Sequence, residues 1–174
     1  MTTAELLDAA LVEEATKKSG LIWVRGDRGV ERALWHVWHV WHEGAACLVG
    51  DGPGEQPLPD LVDGGSAVVT VRSKDKGGRL VGWRATVVEL AAGTEAYDSV
   101  VGELKGKRLN APDAETMLDR WARECRVLRL EPVGGATEPV ADGSLAAPPV
   151  GSPATTRNAV PAGLPKLLAR RKRR

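Results

Sequence analysis

The chain has no phenylalanine and a single tyrosine, Tyr97, so tryptophan carries nearly all of its aromatic packing. It has two cysteines, Cys47 and Cys125, too few for a disulfide framework. Free thiols of that kind belong in a reducing compartment, and a cytoplasmic protein is expected. No apolar run approaches the roughly 20 residues that span a bilayer. The first residues, Met1 to Leu11, carry Glu5 and Asp8 and no basic segment, so a signal peptide is not expected there. Net charge is nearly absent too, at +1, but this conceals an asymmetry. Residues 133–174 carry +5 and the remainder −4. A mildly acidic folded part argues against a general nucleic-acid-binding domain and leaves only the basic tail for such contact.

What is present is concentrated. Three of the six Trp and all three His lie between Trp35 and His42, within Arg32 to Asp51. Trp and Val suit a pleated, half-buried surface, and Glu43-Gly44 followed by Ala45 to Val49 reads as a hairpin turn and a returning strand. On a regular strand Leu34, His36, Trp38, Val40 and His42 share one face, and Ala33, Trp35, Val37, His39 and Trp41 the other. Trp on both faces predicts cover on both. The same geometry removes a metal reading. His36 and His42 stand about 20 Å apart along a strand, and neighbours three apart point oppositely.

Along the chain, Thr2 or Thr3 caps a helix running to Lys18, with Leu6, Leu7, Ala10 and Leu11 as its apolar stripe. Leu21 to Arg25 is a short strand, and Gly26 to Gly29 a turn. Asp51 to Gly65, with three prolines and four glycines, is a long loop of the size that is often functional. Its acids Asp51, Glu55, Asp60 and Asp63 read as solvated. Ser66 to Ser73 and Arg79 to Leu90 are strands around a Lys74–Gly78 turn. Thr94 caps a helix with Tyr97, Val100, Val101 and Leu104 on one face and Gly106 at its end. Asp113 caps the next, striped by Ala114, Met117, Leu118, Trp121, Ala122 and Cys125. Arg126 to Val133 is the last strand. Residues 134–174 read as a disordered Pro/Ala/Gly-rich tail ending in Lys166-Leu-Leu-Ala-Arg-Arg-Lys-Arg-Arg174. The expected fold of residues 1–133 is mainly β in the α+β class: a six-stranded antiparallel sheet closed into a barrel, with one N-terminal helix and two before the last strand.

Several stretches resemble the flavin-binding split-barrel superfamily of pyridoxamine-phosphate oxidases and deazaflavin (F420)-dependent reductases. They are Leu21-Ile-Trp-Val, Val37-Trp-His-Val-Trp-His-Glu-Gly-Ala, Ala67-Val-Val-Thr-Val-Arg with Gly78-Arg-Leu-Val and Arg84-Ala-Thr-Val-Val, and Arg126-Val-Leu-Arg-Leu-Glu-Pro. The resemblance spans about residues 3–133 and implies a split barrel, a homodimer, and FMN or F420 at the interface. The activity it implies is hydride transfer to a small organic acceptor. Many members bind the cofactor phosphate with a Ser-Arg-Lys-like cluster. Here the corresponding loop, Gly52 to Leu61, has no basic residue. The implied cofactor set is therefore Trp38 and His39 on the pocket wall, Gly52, Gly54 and Gln56 in the loop, and Arg72, Lys74, Lys76 and Arg79 from the next hairpin. No catalytic residue and no metal ligand is expected. The alternative is a split-barrel dimer that has lost flavin binding and serves as a binding or structural module.

Overall fold

The structure is a computed structural model, describing residues 2–26, 34–72 and 79–135. The side chains of Arg79 and Leu80 are not described. The elements are α1 (Thr3–Lys18), β1 (Leu21–Gly26), β2 (Trp35–Trp38), β3 (Val40–His42), β4 (Ala45–Gly50), β5 (Ser66–Arg72), β6 (Arg79–Glu89), α2 (Glu95–Lys107), α3 (Met117–Glu124) and β7 (Arg126–Pro132). All strand pairs are antiparallel, in the order β2-β1-β5-β6-β7-β4-β3. The expected α+β class and antiparallel barrel hold, with seven strands instead of six.

The extra strand has a simple origin. β2 and β3 are two halves of the expected Trp-His strand, interrupted at His39. The first half pairs with β1 and the second with β4. These two strands stand at opposite ends of the sheet order, so one broken strand closes the barrel. The β3–β4 register, Val40 with Cys47, would next pair Trp38 with Val49. There Gln56 takes over. Its Oε1 accepts from the Trp38 amide at 2.8 Å, and its Nε2 donates to the carbonyls of Trp38 (2.9 Å) and Val49 (3.1 Å). A side-chain amide thus satisfies main-chain groups that a strand gap would leave orphaned.

The alternation read from the sequence survives the break. Val37 and His39 are buried and Trp41 joins the interior, whereas Trp38 and Val40 belong to a second cluster outside. The interior is built from Ile22, Val24, Leu48, Val69, Trp83, Val87 and Leu130, joined by Val12 of α1 and by Leu58 and Leu61 of the long loop. Trp41 meets Trp83 edge to face at 6.2 Å. The outer cluster lies where α2 and α3 cover β4 and β7: Tyr97, Val100, Val101, Leu104, Met117 and Trp121 pack on Cys47, Val49 and Val127. With both faces covered, every residue of β4 is buried.

Local signals act as expected at several points. Thr2 caps α1 in a capping box with Glu5. Glu43 and Gly44 both adopt positive φ (45° and 76°), as a tight hairpin turn requires. Three expectations are corrected. Leu6, Leu7 and Leu11 are exposed, and α1 buries Val12 and Thr16 instead, because only its C-terminal half touches the barrel. The last helix starts at Met117, not after Asp113, whose carboxylate is drawn into a bond with Arg120. One loop acid is not solvated: the Glu55 side chain is fully buried, whereas Asp51 and Asp63 are exposed as expected. The 27–33 and 73–78 turns and residues 136–174 of the expected tail lie outside the described residues.

Candidate functional site

Trp38 ends β2 with its side chain on the outer face, next to Leu21 across the β1–β2 pair. Thr94 starts α2, and the helix runs until Lys107, where Arg108 leaves the helical conformation. The chain then peels away and leaves Leu109 75% exposed. Gly20, Trp38, Lys107, Arg108 and Leu109 line a half-open cleft of about 300 Å³. The Arg108 guanidinium carbon sits 6.0 Å from the centre of the Trp38 ring. An aromatic face beside two cations suits a planar ligand with an anionic end.

Arg108 is held from below by the long loop. Its Nη2 donates to the Gly54 carbonyl at 3.0 Å, and its Nε lies 3.2 Å from Glu55 Oε2. Glu55 Oε1 accepts from Arg120 Nη2 at 3.0 Å and from Trp121 Nε1 at 2.9 Å. Arg120 also donates to Asp113 Oδ2 (2.6 Å) and the Pro53 carbonyl (2.6 Å). The Arg120 bond holds the Asp113 carboxyl below its usual range. Arg126 adds a second clamp, reaching Asp51 (3.1 Å), Glu89 (2.8 Å) and the Leu61 carbonyl (2.8 Å). The loop from Asp51 to Leu61 is thereby bound to α2, α3 and β7 by three arginines.

The residues expected to bind cofactor fall into different places. Trp38 lines the cleft. His39, next to it, points the opposite way: it is fully buried, and its Nε2 bonds the Thr16 carbonyl at 2.9 Å. Burial pushes this imidazole down to about 4. Gly54 does not line the cleft but accepts from Arg108 through its carbonyl, with φ +75° and open space where a Cβ would stand. Gly52 is packed against the Cys125 sulfur and the Glu124 carbonyl. The Gln56 amide is engaged with Trp38 and Val49. The Asp51 amide donates to the Gln56 carbonyl (2.9 Å), and the Glu55 amide to that of Gly52 (3.1 Å). Arg72 stacks 4.7 Å over Trp23 on the outer face of β1. Arg79 opens β6, and Lys74 and Lys76 lie outside the described residues.

Lys107, Arg108, Leu109, Arg120 and Trp121 were not singled out by sequence. They sit at helix ends and stripes where cations and apolar residues are ordinary; the convergence of Arg108, Arg120 and Trp121 on residues 53–55, and of Lys107 and Leu109 on the cleft, is what marks them. Among the described residues, no group of three His, Cys, Asp or Glu could hold a metal ion. His42 bonds Ser99 Oγ at 2.8 Å instead. Cys47 is buried and its thiol is pushed up to about 12, which makes it inert. No described helix is long and apolar enough to cross a membrane.

Sheet order, broken closing strand and flanking helices define a split barrel. A solved structure agrees at the level of fold. HutZ, the heme storage protein from Vibrio cholerae, superposes with a TM-score of 0.52 at 12% identity, over 71% of this chain and 89% of that one. A putative general stress protein 26 from Jannaschia sp. CCS1 matches at 0.48 and 17% identity over 82% and 83% of the two chains. A FAD and heme binding protein from Mycobacterium smegmatis matches at 0.44 and 15% over 97% and 95%. No family model and no curated protein matches the chain.

A flavin's two ends fare differently against these residues. The loop does not fit a phosphate dianion. Gly52 has no room beside Cys125, the Asp51 and Glu55 amides are bonded within the loop, and a buried carboxylate, Glu55, occupies its centre. The cleft offers the Trp38 ring to a planar group, with Lys107 and Arg108 at its edge, the Arg108 guanidinium being engaged by Glu55, Gly54 and the Leu109 carbonyl.

Proposed function

We propose that the chain binds a planar, anionic cofactor of the flavin or deazaflavin class, FMN or F420, in the Trp38 cleft, and that it works as a cytoplasmic homodimer. The observation that carries this reading is the Trp38 ring beside the Arg108 guanidinium in a half-open cleft of about 300 Å³. Trp38 would hold the ring system, and Lys107 and Arg108 the anionic end. When bound, such a cofactor supplies hydride transfer to a small organic acceptor. The chain's own contribution is orientation, through a guanidinium fixed by Glu55 and Gly54, and exclusion of water by Trp38 and Leu109. Leu21 (41% exposed) and Trp35 (44% exposed) on the β1–β2 pair support a second subunit covering that side.

Titration of purified protein with FMN and F420, followed by fluorescence, tests the reading. Binding is expected, and Trp38→Ala and Arg108→Ala should each weaken it about tenfold. Heme belongs in the same titration, because HutZ, which shares the fold, is a heme storage protein. A heme absorption shift without flavin binding would replace the flavin class.

A second reading is favoured by the neutralisation of the loop: Glu55, Asp113, Asp51 and Glu89 pair with Arg108, Arg120 and Arg126. On it, the chain is a split-barrel dimer that has lost flavin and acts as a binding or structural module. A dimer by sedimentation with no uptake of any of the three ligands would establish that reading and end the first.

A further inference from the structure

Polar burial in this molecule is concentrated at one corner. Among the described residues, the buried polar side chains are Thr16, Ser19, His39 and Thr70, and the first three meet where α1 turns into β1. The Thr16 carbonyl accepts from the Ser19 amide at 3.1 Å and from His39 Nε2 at 2.9 Å. Ser19 Oγ donates in turn to the Leu21 carbonyl. His39 Nδ1 and Thr16 Oγ1 are buried there without a hydrogen-bond partner.

Outside this corner α1 is lightly held. It rests on β3 and β6, and of its 16 residues it buries Val12 and Thr16. An element with so few buried contacts opens by itself more readily than the sheet beneath it. The corner also borders the cleft: Gly20 follows Ser19, Trp38 precedes His39, and both line it. His39 is the single residue at which the closing strand changes partner. The strand registers place it level with Gly20 on one side and Leu48 on the other, neither of them charged.

We propose that α1 is a detachable cover latched by His39, that protonation of the ring releases it, and that its release opens the Trp38 cleft. Docked, the ring carries one proton, on Nε2, and gives it to the Thr16 carbonyl. A second proton would go to Nδ1, which has no partner, and would place a charge inside the barrel. Burial holds the docked imidazole at about 4 against an ordinary 6.5, and Lys107 at the end of α2 opposes the charge as well. The ionisable groups of α1 nearest Thr16 are Glu13, Lys17 and the Glu14–Lys18 pair, on half-exposed and exposed sides of the helix. The released ring therefore takes the proton first as pH falls, so the released state is favoured progressively below pH 6.5. Any effect of a bound cofactor on the latch rests on the cofactor reading of the cleft, whereas the release itself does not.

Hydrogen–deuterium exchange on the full chain at pH 7.5 and 5.0, corrected for the intrinsic rate at each pH, tests it. The released population, read from residues 12–18, should rise about 30-fold between the two values. Exchange there should stay faster than in β5 and β6 and change little in low urea, because one helix exposes little surface. Residues 19–21 and 38–40 should follow α1. His39→Gln keeps a donor for Thr16 and takes no proton, so the ratio should fall to about 1. Val12→Ala loosens the helix without touching the ring, and should speed exchange at both pH values while the ratio stays about 30. Saturating FMN or F420 should slow exchange in α1, and binding without slowing would overturn the opening of the cleft. In a chain that binds neither, which ends the cofactor reading, exchange at residues 19–21 and 38–40 alone decides that opening. A ratio near 1 in the native chain, or α1 exchange equal to that of β5 and β6 in rate and urea slope, would overturn the latch.

Discussion

At the residue scale the most informative side chain is His39. It was expected on a pocket wall, yet it faces the interior and donates through Nε2 to the Thr16 carbonyl, which requires the Nε2–H tautomer. Its Nδ1 is buried without a described hydrogen bond. Burial lowers its pKa from 6.5 to about 4, so between those values the unfolded chain binds the proton and the folded one does not. Stability is therefore complete above pH 6.5 and falls as pH drops toward 4, by about 3 kcal/mol in all. Urea unfolding at pH 7.5 and 5.0 should show about 2 kcal/mol of this loss, and His39→Asn should reduce it. Gln56 makes a second residue-scale prediction. Gln56→Ala leaves the Trp38 amide and carbonyl without their partner at the strand gap. A loss of about 2–3 kcal/mol is expected in chemical denaturation. Neither role is visible in the sequence, where His39 and Gln56 look like ligand contacts. A side chain's partner 18 or 23 positions away follows from the fold alone.

At the scale of elements, the loop and α2–α3 act as one unit. Glu55 joins them through Arg108, Arg120 and Trp121 and is fully buried. Glu55→Ala would take from Arg108 its carboxylate partner and leave Arg120 with Asp113 alone. The expected cost is about 3–5 kcal/mol, seen as a fall in the denaturation midpoint. The loop's glycine at 52 is similarly committed: a methyl group there would collide with Cys125 and the Glu124 carbonyl. Gly52→Ala should cost about 1–3 kcal/mol, and Cys125→Ala should recover part of it. The sequence showed a loop too rich in Pro and Gly for regular structure, and that holds. Its acids looked solvated because their arginine partners lie at positions 108, 120 and 126, far along the chain. α1 errs in the other direction. Its leucine stripe was legible, but the barrel meets the helix only near Val12 and Thr16, and periodicity does not say which stretch of a stripe finds a surface.

At the scale of the whole molecule, the barrel closes through one strand that changes partner. β2 pairs with β1 and β3 with β4, and the chain between β2 and β3 is a single residue. On the proposed homodimer, sedimentation of the full chain gives a dimer that Trp35→Asp weakens by burying charge in the contact, and a monomer overturns that part of the proposal. The sequence by itself determined the strand and helix order, the alternation of faces through the Trp-His segment, and the residues of the α2 stripe. These depend on spacing between neighbours, which the backbone converts directly into inside and outside. Only the tertiary structure decided where the strand breaks, that Glu55 is buried beneath two arginines, and that Trp38 faces a cleft with Lys107 and Arg108 while His39 does not. Those facts depend on distant parts of the chain meeting in space, and a charge or an indole acquires its role there from what it meets.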